Sequence, residues 1–306
     1  MRNFSEKTLT AAVLKRVAGA PDRRTRQIMH SLVKHLHAFV REVRPTQEEW
    51  FQGIQFLTRT GHLCDDRRQE FILMSDTLGV SMLVDFINYG KVGKSTESTV
   101  LGPFFVAGAP EMPLGASIAR PGTAGEPCAV SGTVKGLRGE PIAGAVIDVW
   151  ESGADGLYDV QKPGGTNLRA RFRADEKGRF HFKCITPVSY PVPHDGPVGR
   201  MLAATGRHPM RPGHLHFTIE APGCEKLVTH LFVKGDKYLD SDAVFGVKES
   251  LIVSYRKNSA GEATCRYDFV LKPAGLKRRR PPPAAKSAPA GSPSSSRGRR
   301  RPSPGA

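Results

Sequence analysis

Apolar residues in the first hundred positions recur at helical intervals. Ile28, Leu32, Leu36, Phe39, Val40 and Val43 fall three or four residues apart, which predicts one apolar stripe on a single helix. Pro45 ends that helix, because a proline pushes the residue before it out of helical conformation. Thr46 with Glu49 three residues later is a capping-box pattern opening the next helix, with Trp50, Ile54 and Leu57 as its buried stripe. A further helical run is expected from about Gln69 to Ile87. These stripes predict core or a dimer contact rather than chemistry.

After Ser95 the pattern changes. Gly and Pro become frequent, and short β-rich runs appear at 129–134, 145–151, 179–184, 215–220, 226–232 and 267–271. Short strands punctuated by turn residues predict a β-sandwich rather than alternating strands and helices. The expected fold class is therefore α+β: a helical region over 1–100, a mainly antiparallel β-sandwich over 101–275, and a tail over 276–306. Gly144 to Trp150 reads as a central strand.

Composition narrows the field. No run of 18 apolar residues exists, so no membrane span is expected, and no apolar segment follows the first residues, which leaves the cytoplasm as the expected location. Five scattered cysteines, Cys64, Cys128, Cys184, Cys224 and Cys265, show no C-x-x-C spacing and argue against a disulfide framework or a structural zinc. The net charge of +16 invites a nucleic-acid reading, yet nine of the basic residues lie from Lys277 onward with no acid among them. That stretch is rich in Pro, Ser, Ala and Gly, so a disordered basic tail is expected, with no specific nucleic-acid partner. No Gly-rich phosphate loop and no Ser-centred nucleophile elbow is present.

The most informative segment is Arg211-Pro212-Gly213-His214-Leu215-His216-Phe217. On a strand, His214 and His216 point to the same face, since side chains alternate with period two. By itself the pair fits a metal site or two merely hydrogen-bonded histidines. Tyr158 and Tyr190 each follow a predicted strand, at loop positions where sites are usually built. Either alone fits a core or rim aromatic. Together with two imidazoles they suit a hard, highly charged cation, because a phenol that ionises near pH 10 needs a strong Lewis acid to become a phenolate at neutral pH.

In order along the chain stand Leu101-Gly102-Pro103-Phe104-Phe105, Asp148-Val149-Trp150-Glu151 leading to Gly156-Leu157-Tyr158, then Tyr190, then Arg211 to His216. This set resembles the intradiol ring-cleavage dioxygenases, and among them most the hydroxyquinol (1,2,4-trihydroxybenzene) 1,2-dioxygenases, from the helical region through about residue 272. The resemblance implies a catalytic sandwich with a helical dimerisation region, and Fe(III) held by Tyr158, Tyr190, His214 and His216. Tyr190 would be the tyrosinate that substrate displaces, and Arg211 would stand beside the bound ring. Leu73, Asp76, Val100, Gly102, Pro103, Phe104 and Val244 fall where the family lines its substrate pocket. The expected partners are an aromatic diol or triol, O2 and a second copy of the chain, with lipid a candidate between the helices. Gly213, where alanine is usual, reads as a conservative departure, and His230 as a neighbour of the ligands rather than one of them.

In the pocket that the resemblance implies, Asp76 would be a polar partner for a third ring hydroxyl, and 195–199 and 240–247 also look more like hydroxyquinol than catechol enzymes. Hydroxyquinol cleavage is the expected reaction, with catechol 1,2-cleavage to cis,cis-muconate as the alternative. Two other classes stay open: a β-sandwich binding module with an empty metal site, and a nucleic-acid binder driven by the tail.

Overall fold

The computed structural model describes residues 2–65, 68–259 and 261–276, so the expected basic tail lies outside the described residues from 277 on. Five helices come first: α1 (Leu9–Val17), α2 (Arg23–Val43), α3 (Gln47–His62), α4 (Glu70–Thr77) and α5 (Val80–Asn88). Thr46 and Glu49 form the expected box at the start of α3: the Thr46 N–H donates to the Glu49 carboxylate at 2.8 Å and the Glu49 N–H to the Thr46 hydroxyl at 3.2 Å. The single helix expected over 69–87 is instead two, because Gly79 takes a left-handed φ of 72° that breaks the run and starts α5.

Of the two expectations for the stripes, core and dimer contact, the single chain removes the first. Trp50, Ile54 and Leu57 are exposed, as is the whole Ile28 to Val43 stripe of α2, with Phe39 58% accessible. Among the described residues nothing covers these faces.

The sandwich strands are β1 (Pro127–Lys135), β2 (Val146–Trp150), β3 (Arg169–Arg173), β4 (Arg179–Ile185), β5 (Tyr190–Pro191), β6 (Met210–Arg211), β7 (His214–Glu220), β8 (Leu227–Val233), β9 (Ile252–Val253), β10 (Arg256–Lys257), β11 (Ala263–Arg266) and β12 (Phe269–Val270). A sixth helix, α6 (Pro197–Ala204), lies between β5 and β6. One sheet runs β3-β2-β7-β8-β9; the other centres on β1, flanked by β4 on one side and by β11 and β12 on the other. Most pairings are antiparallel, but β1 runs parallel to β11 and β12, and β8 to β9. Alternate residues of β1 are buried, as a strand with one face on a core requires.

Between the sheets pack Val130, Ile147, Phe172, Phe182, Phe217 and Phe269, all buried, with Phe172 and Phe182 stacked at 5.1 Å. Each such ring contributes on the order of 1.5–3 kcal/mol by leaving water. A second apolar cluster, including Leu73, Met82, Val100, Val198, Leu202 and Val244, joins α4, α5 and α6 to the sandwich loops. Polar contacts reinforce that junction. The fully buried Glu70 carboxylate accepts the Val198 N–H at the start of α6 (3.1 Å) and is held by Arg68 at 2.8 Å, which also pairs with Asp195.

Candidate metal centre

The β2–β7–β8 part of the sheet sets the site. Register places Trp150 opposite His216, and His216 opposite His230. His214 and His216 project from the same face of β7, as the spacing predicts, and both are buried. Tyr158 enters from the loop after β2, and Tyr190 from the two-residue ribbon in which it pairs with Arg211.

The four side chains converge. Tyr158 Oη lies 2.8 Å from His216 Nε2 and donates to Tyr190 Oη at 2.9 Å. His214 Nε2 is 3.1 Å from His216 Nε2 and 3.5 Å from Tyr190 Oη. Donors at about 2.0–2.2 Å from a shared cation stand about 3 Å apart, so these spacings fit one coordination sphere. The His214 tautomer fits as well. His214 Nδ1 lies 2.7 Å from the Pro212 carbonyl, so Nδ1 carries the proton and Nε2 presents a lone pair to the centre. Burial, with the Arg211 charge adding to it, holds His214 well below the usual histidine range, and burial does the same to His216. Two neutral imidazoles facing each other at 3.1 Å are well served by a cation between them. Burial also pushes both phenols up, so a strong Lewis acid is what would make either a phenolate. The residues present fit a hard, high-charge metal ion.

Around this cluster the expected residues are distributed as follows. Phe104 stacks on Tyr158 at 4.5 Å, and a side chain built on Gly102 would come within 3.3 Å of His216. Leu73, Pro103 and Phe104 line a cavity of about 480 Å³ that also borders Pro191 and Val192. Asp76, Val100 and Gly102 line a second, of about 630 Å³, between α4, α5 and the 98–102 segment. Val244 packs with Leu73 and Val100 rather than lining either cavity. None of the four donors lines these cavities; residues 102–104 form the layer between. Burial raises the Asp76 carboxyl, opposed by a hydrogen bond from Ser81 and by the Arg211 charge.

Arg211 is buried with Nη1 3.1 Å from His214 Nε2, and its Nε donates to Asp242 at 3.0 Å. Asp242 also accepts the N–H of Gly246 at 2.9 Å, which fixes the guanidinium from behind. Asp242 was not singled out from the sequence, where one aspartate among several in a polar loop carries no mark. Trp150, stacked on His216 at 4.7 Å and 14°, sits in a motif whose role only the sheet register reveals. His230 stands 4.2 Å from the His216 ring, close enough that its ring and those of His214 and His216 form one imidazole cluster.

Gly213 is not a neutral departure. A Cβ there would come within 2.6 Å of the Pro187 carbonyl oxygen, so in this chain the backbone leading to Tyr190 packs against a glycine.

The family profile described as "Dioxygenase" matches residues 100–273, and "Catechol dioxygenase N terminus" matches 22–96. This chain belongs to the intradiol ring-cleavage dioxygenases. Within that family, a 6-chlorohydroxyquinol 1,2-dioxygenase of Cupriavidus pinatubonensis is 55% identical over 89% of this chain and 99% of its own length. The crystal structure of a hydroxyquinol 1,2-dioxygenase from Pseudomonas putida DLL-E4 superposes with a TM-score of 0.82 at 48% identity, covering 88% of this chain and 98% of that one. The catechol 1,2-dioxygenase of Pseudomonas arvilla C-1 has the same fold, TM-score 0.77, at 29% identity over 88% of this chain and 95% of its own. Intradiol dioxygenases use non-haem iron, and the donor set described above suits it. Among the described residues no helix is long and apolar enough to cross a membrane.

Proposed function

We propose that this intradiol dioxygenase cleaves 1,2,4-trihydroxybenzene between its two adjacent hydroxyl-bearing carbons, taking up O2 to give 3-hydroxy-cis,cis-muconate, which exchanges with maleylacetate. The metal is Fe(III), and its ligands are Tyr158, Tyr190, His214 and His216. The observation that carries this reading is the buried ring of two phenol oxygens and two imidazole nitrogens, each 2.8–3.5 Å from the next.

Bound ferric iron supplies Lewis acidity that draws both substrate hydroxyls into their anionic form and makes the ring electron-rich toward O2. The protein does the rest. Tyr190, with its longer 3.5 Å link to His214, would be the phenolate that takes one substrate proton at its oxygen and leaves as the neutral phenol, the second proton going to hydroxide from solvent. Arg211, permanently charged and held by Asp242, faces the negative charge that develops on the ring. Leu73 and Phe104 on one side and Val100 on the other would present apolar walls to the ring and exclude water, with Val244 packed behind Leu73 and Val100. Asp76 takes the third hydroxyl; with plain catechol it would stay buried without that partner, at a cost on the order of 1–3 kcal/mol.

The test is turnover of hydroxyquinol and catechol by the iron-loaded enzyme with product identification. Preference for hydroxyquinol of about 10-fold or more is expected; equal or better turnover of catechol would replace this assignment with catechol 1,2-cleavage. The uncovered stripes of α2 and α3 are read as the contact with a second copy of the chain, with lipid a candidate between them. Sedimentation at micromolar concentration should give twice the chain mass; a monomer would remove that reading. Five free thiols fit a cytoplasmic setting.

A further inference from the structure

Tyr158 is followed directly by Asp159, whose carboxylate is almost wholly buried and accepts four N–H groups. Arg169 gives two, from Nε at 3.1 Å and Nη2 at 2.6 Å; the Val160 and Asn167 backbones give the others at 2.9 and 3.2 Å. Arg169 is itself 4% accessible and stands on β3 opposite Trp150, the ring that stacks on His216. One ion pair therefore braces the segment carrying Tyr158 against the sheet row carrying His216, and the two donor atoms meet at 2.8 Å.

We infer that the Asp159–Arg169 pair is a positioning device for the metal centre, fixing the Tyr158 oxygen relative to the His216 imidazole; this rests on both being iron ligands. Burial of an ion pair is a poor source of stability, because desolvation offsets the attraction. The remaining Arg169 nitrogen, Nη1, is buried with no hydrogen-bond partner among the described residues, which makes the pair costlier still as a plain fastener. What such a pair does supply is a fixed geometry: the planar fork locks the carboxylate in direction as well as distance. Groups that orient ligands without touching the metal set its affinity by about 10–100-fold.

The same two strands hold an internal control. Asp148 and Arg171 form a matching fork at 2.9 Å, with Arg171 partly exposed and no proposed ligand beside either residue. The experiment uses the full-length iron-loaded enzyme with Asp159→Asn, Arg169→Lys and Asp148→Asn. Its readouts are the visible tyrosinate-to-iron absorption band, iron kept per chain under chelator challenge, and Tm. Asp159→Asn and Arg169→Lys should shift or weaken the band and release iron about 10–100-fold more readily. Asp148→Asn should lower Tm alone. If both site variants keep the band and iron retention while losing Tm as the control does, the pair is structural and the inference fails. Should Asp159→Asn not fold, Arg169→Lys decides, since it keeps the charge and removes the fork. A wild type without band or iron overturns the ligand assignment and this inference with it, whereas a coloured wild type with unaltered variants overturns only the latter.

Discussion

The two tyrosines of the centre are held in opposite ways. Tyr158 is fully buried, stacked on Phe104, 2.8 Å from His216, and followed at once by the Asp159–Arg169 pair. Tyr190 is carried by a ribbon two residues long, lies 3.5 Å from His214, and is followed by Pro191 and Val192 at the wall of a cavity. Burial raises both phenols and the Arg211 charge opposes that in both; for Tyr190 Arg211 is the chief opposing effect, while for Tyr158 the neighbouring Tyr190 first adds to the rise. The difference separates two jobs. On the proposed ligand assignment, Tyr158 is the phenol that stays and Tyr190 the one that substrate replaces.

Substitution of the two rings is the strongest way to break that contrast. Tyr158→Phe should yield colourless protein that keeps little iron and has no measurable turnover. Tyr190→Phe should retain iron, with kcat lower by about 10²–10⁴-fold, the usual contribution of a positioned proton acceptor. Iron content by mass spectrometry beside kcat resolves the pair. Equal iron loss in the two variants would mean that both phenols are fixed ligands.

A smaller effect is expected at Gly213. Alanine there must displace the Pro187 backbone from 2.6 Å, which costs about 1–3 kcal/mol and moves the strand entry that leads to Tyr190. The Gly213 N–H and the Ser189 hydroxyl share Asp236, so the disturbance passes along that segment. Gly213→Ala should lower Tm and raise KM while iron stays bound, because Tyr158 and its brace are untouched. Iron loss with an unchanged KM would show that the loop serves retention rather than substrate exchange.

How much of this was legible in the sequence depends on whether the signal was local. The His-x-His pair needs only the period of a strand, and it holds. The capping box at Thr46 is likewise a four-residue pattern, and it forms as expected. β3 was missed because Arg169, Arg171 and Arg173 make the run read as surface; register shows that Arg169 and Arg171 answer Asp159 and Asp148. Asp242 and Asp159 carry no local mark either, since each matters only through an arginine brought to it by the fold. The stripes of α2 and α3 were rightly called apolar, yet periodicity cannot say whether core or another surface covers them. The sequence called the Trp50 stripe buried, and in the single chain it is exposed. Spacing and loop position mark His214, His216, Tyr158 and Tyr190 as candidates, the resemblance implies their joint role, and the geometry that brings them together is long-range.

The faintest effect on turnover is expected at Glu151, on the Tyr158 side of the centre. Its carboxyl is fully buried between the sheets, accepts the Ile185 N–H at 3.2 Å, and is pushed well above the ordinary carboxylate range by that burial. In the unfolded chain the group titrates near 4.5, so above that pH unfolding releases a proton that the folded state keeps. Stability contributed by the protonated group is thus complete below about pH 4.5 and is lost as pH rises toward the folded value, by up to about 1.4 kcal/mol per unit. Glu151→Gln removes this dependence. Between pH 5 and 8 the wild-type Tm should fall relative to the variant, while kcat and the iron band of the variant stay near wild type. Tm curves that run parallel across that range would show that Glu151 is ionised in the fold. A standing charge would then lie beside Tyr158 and oppose its ionisation, adding to what burial already does.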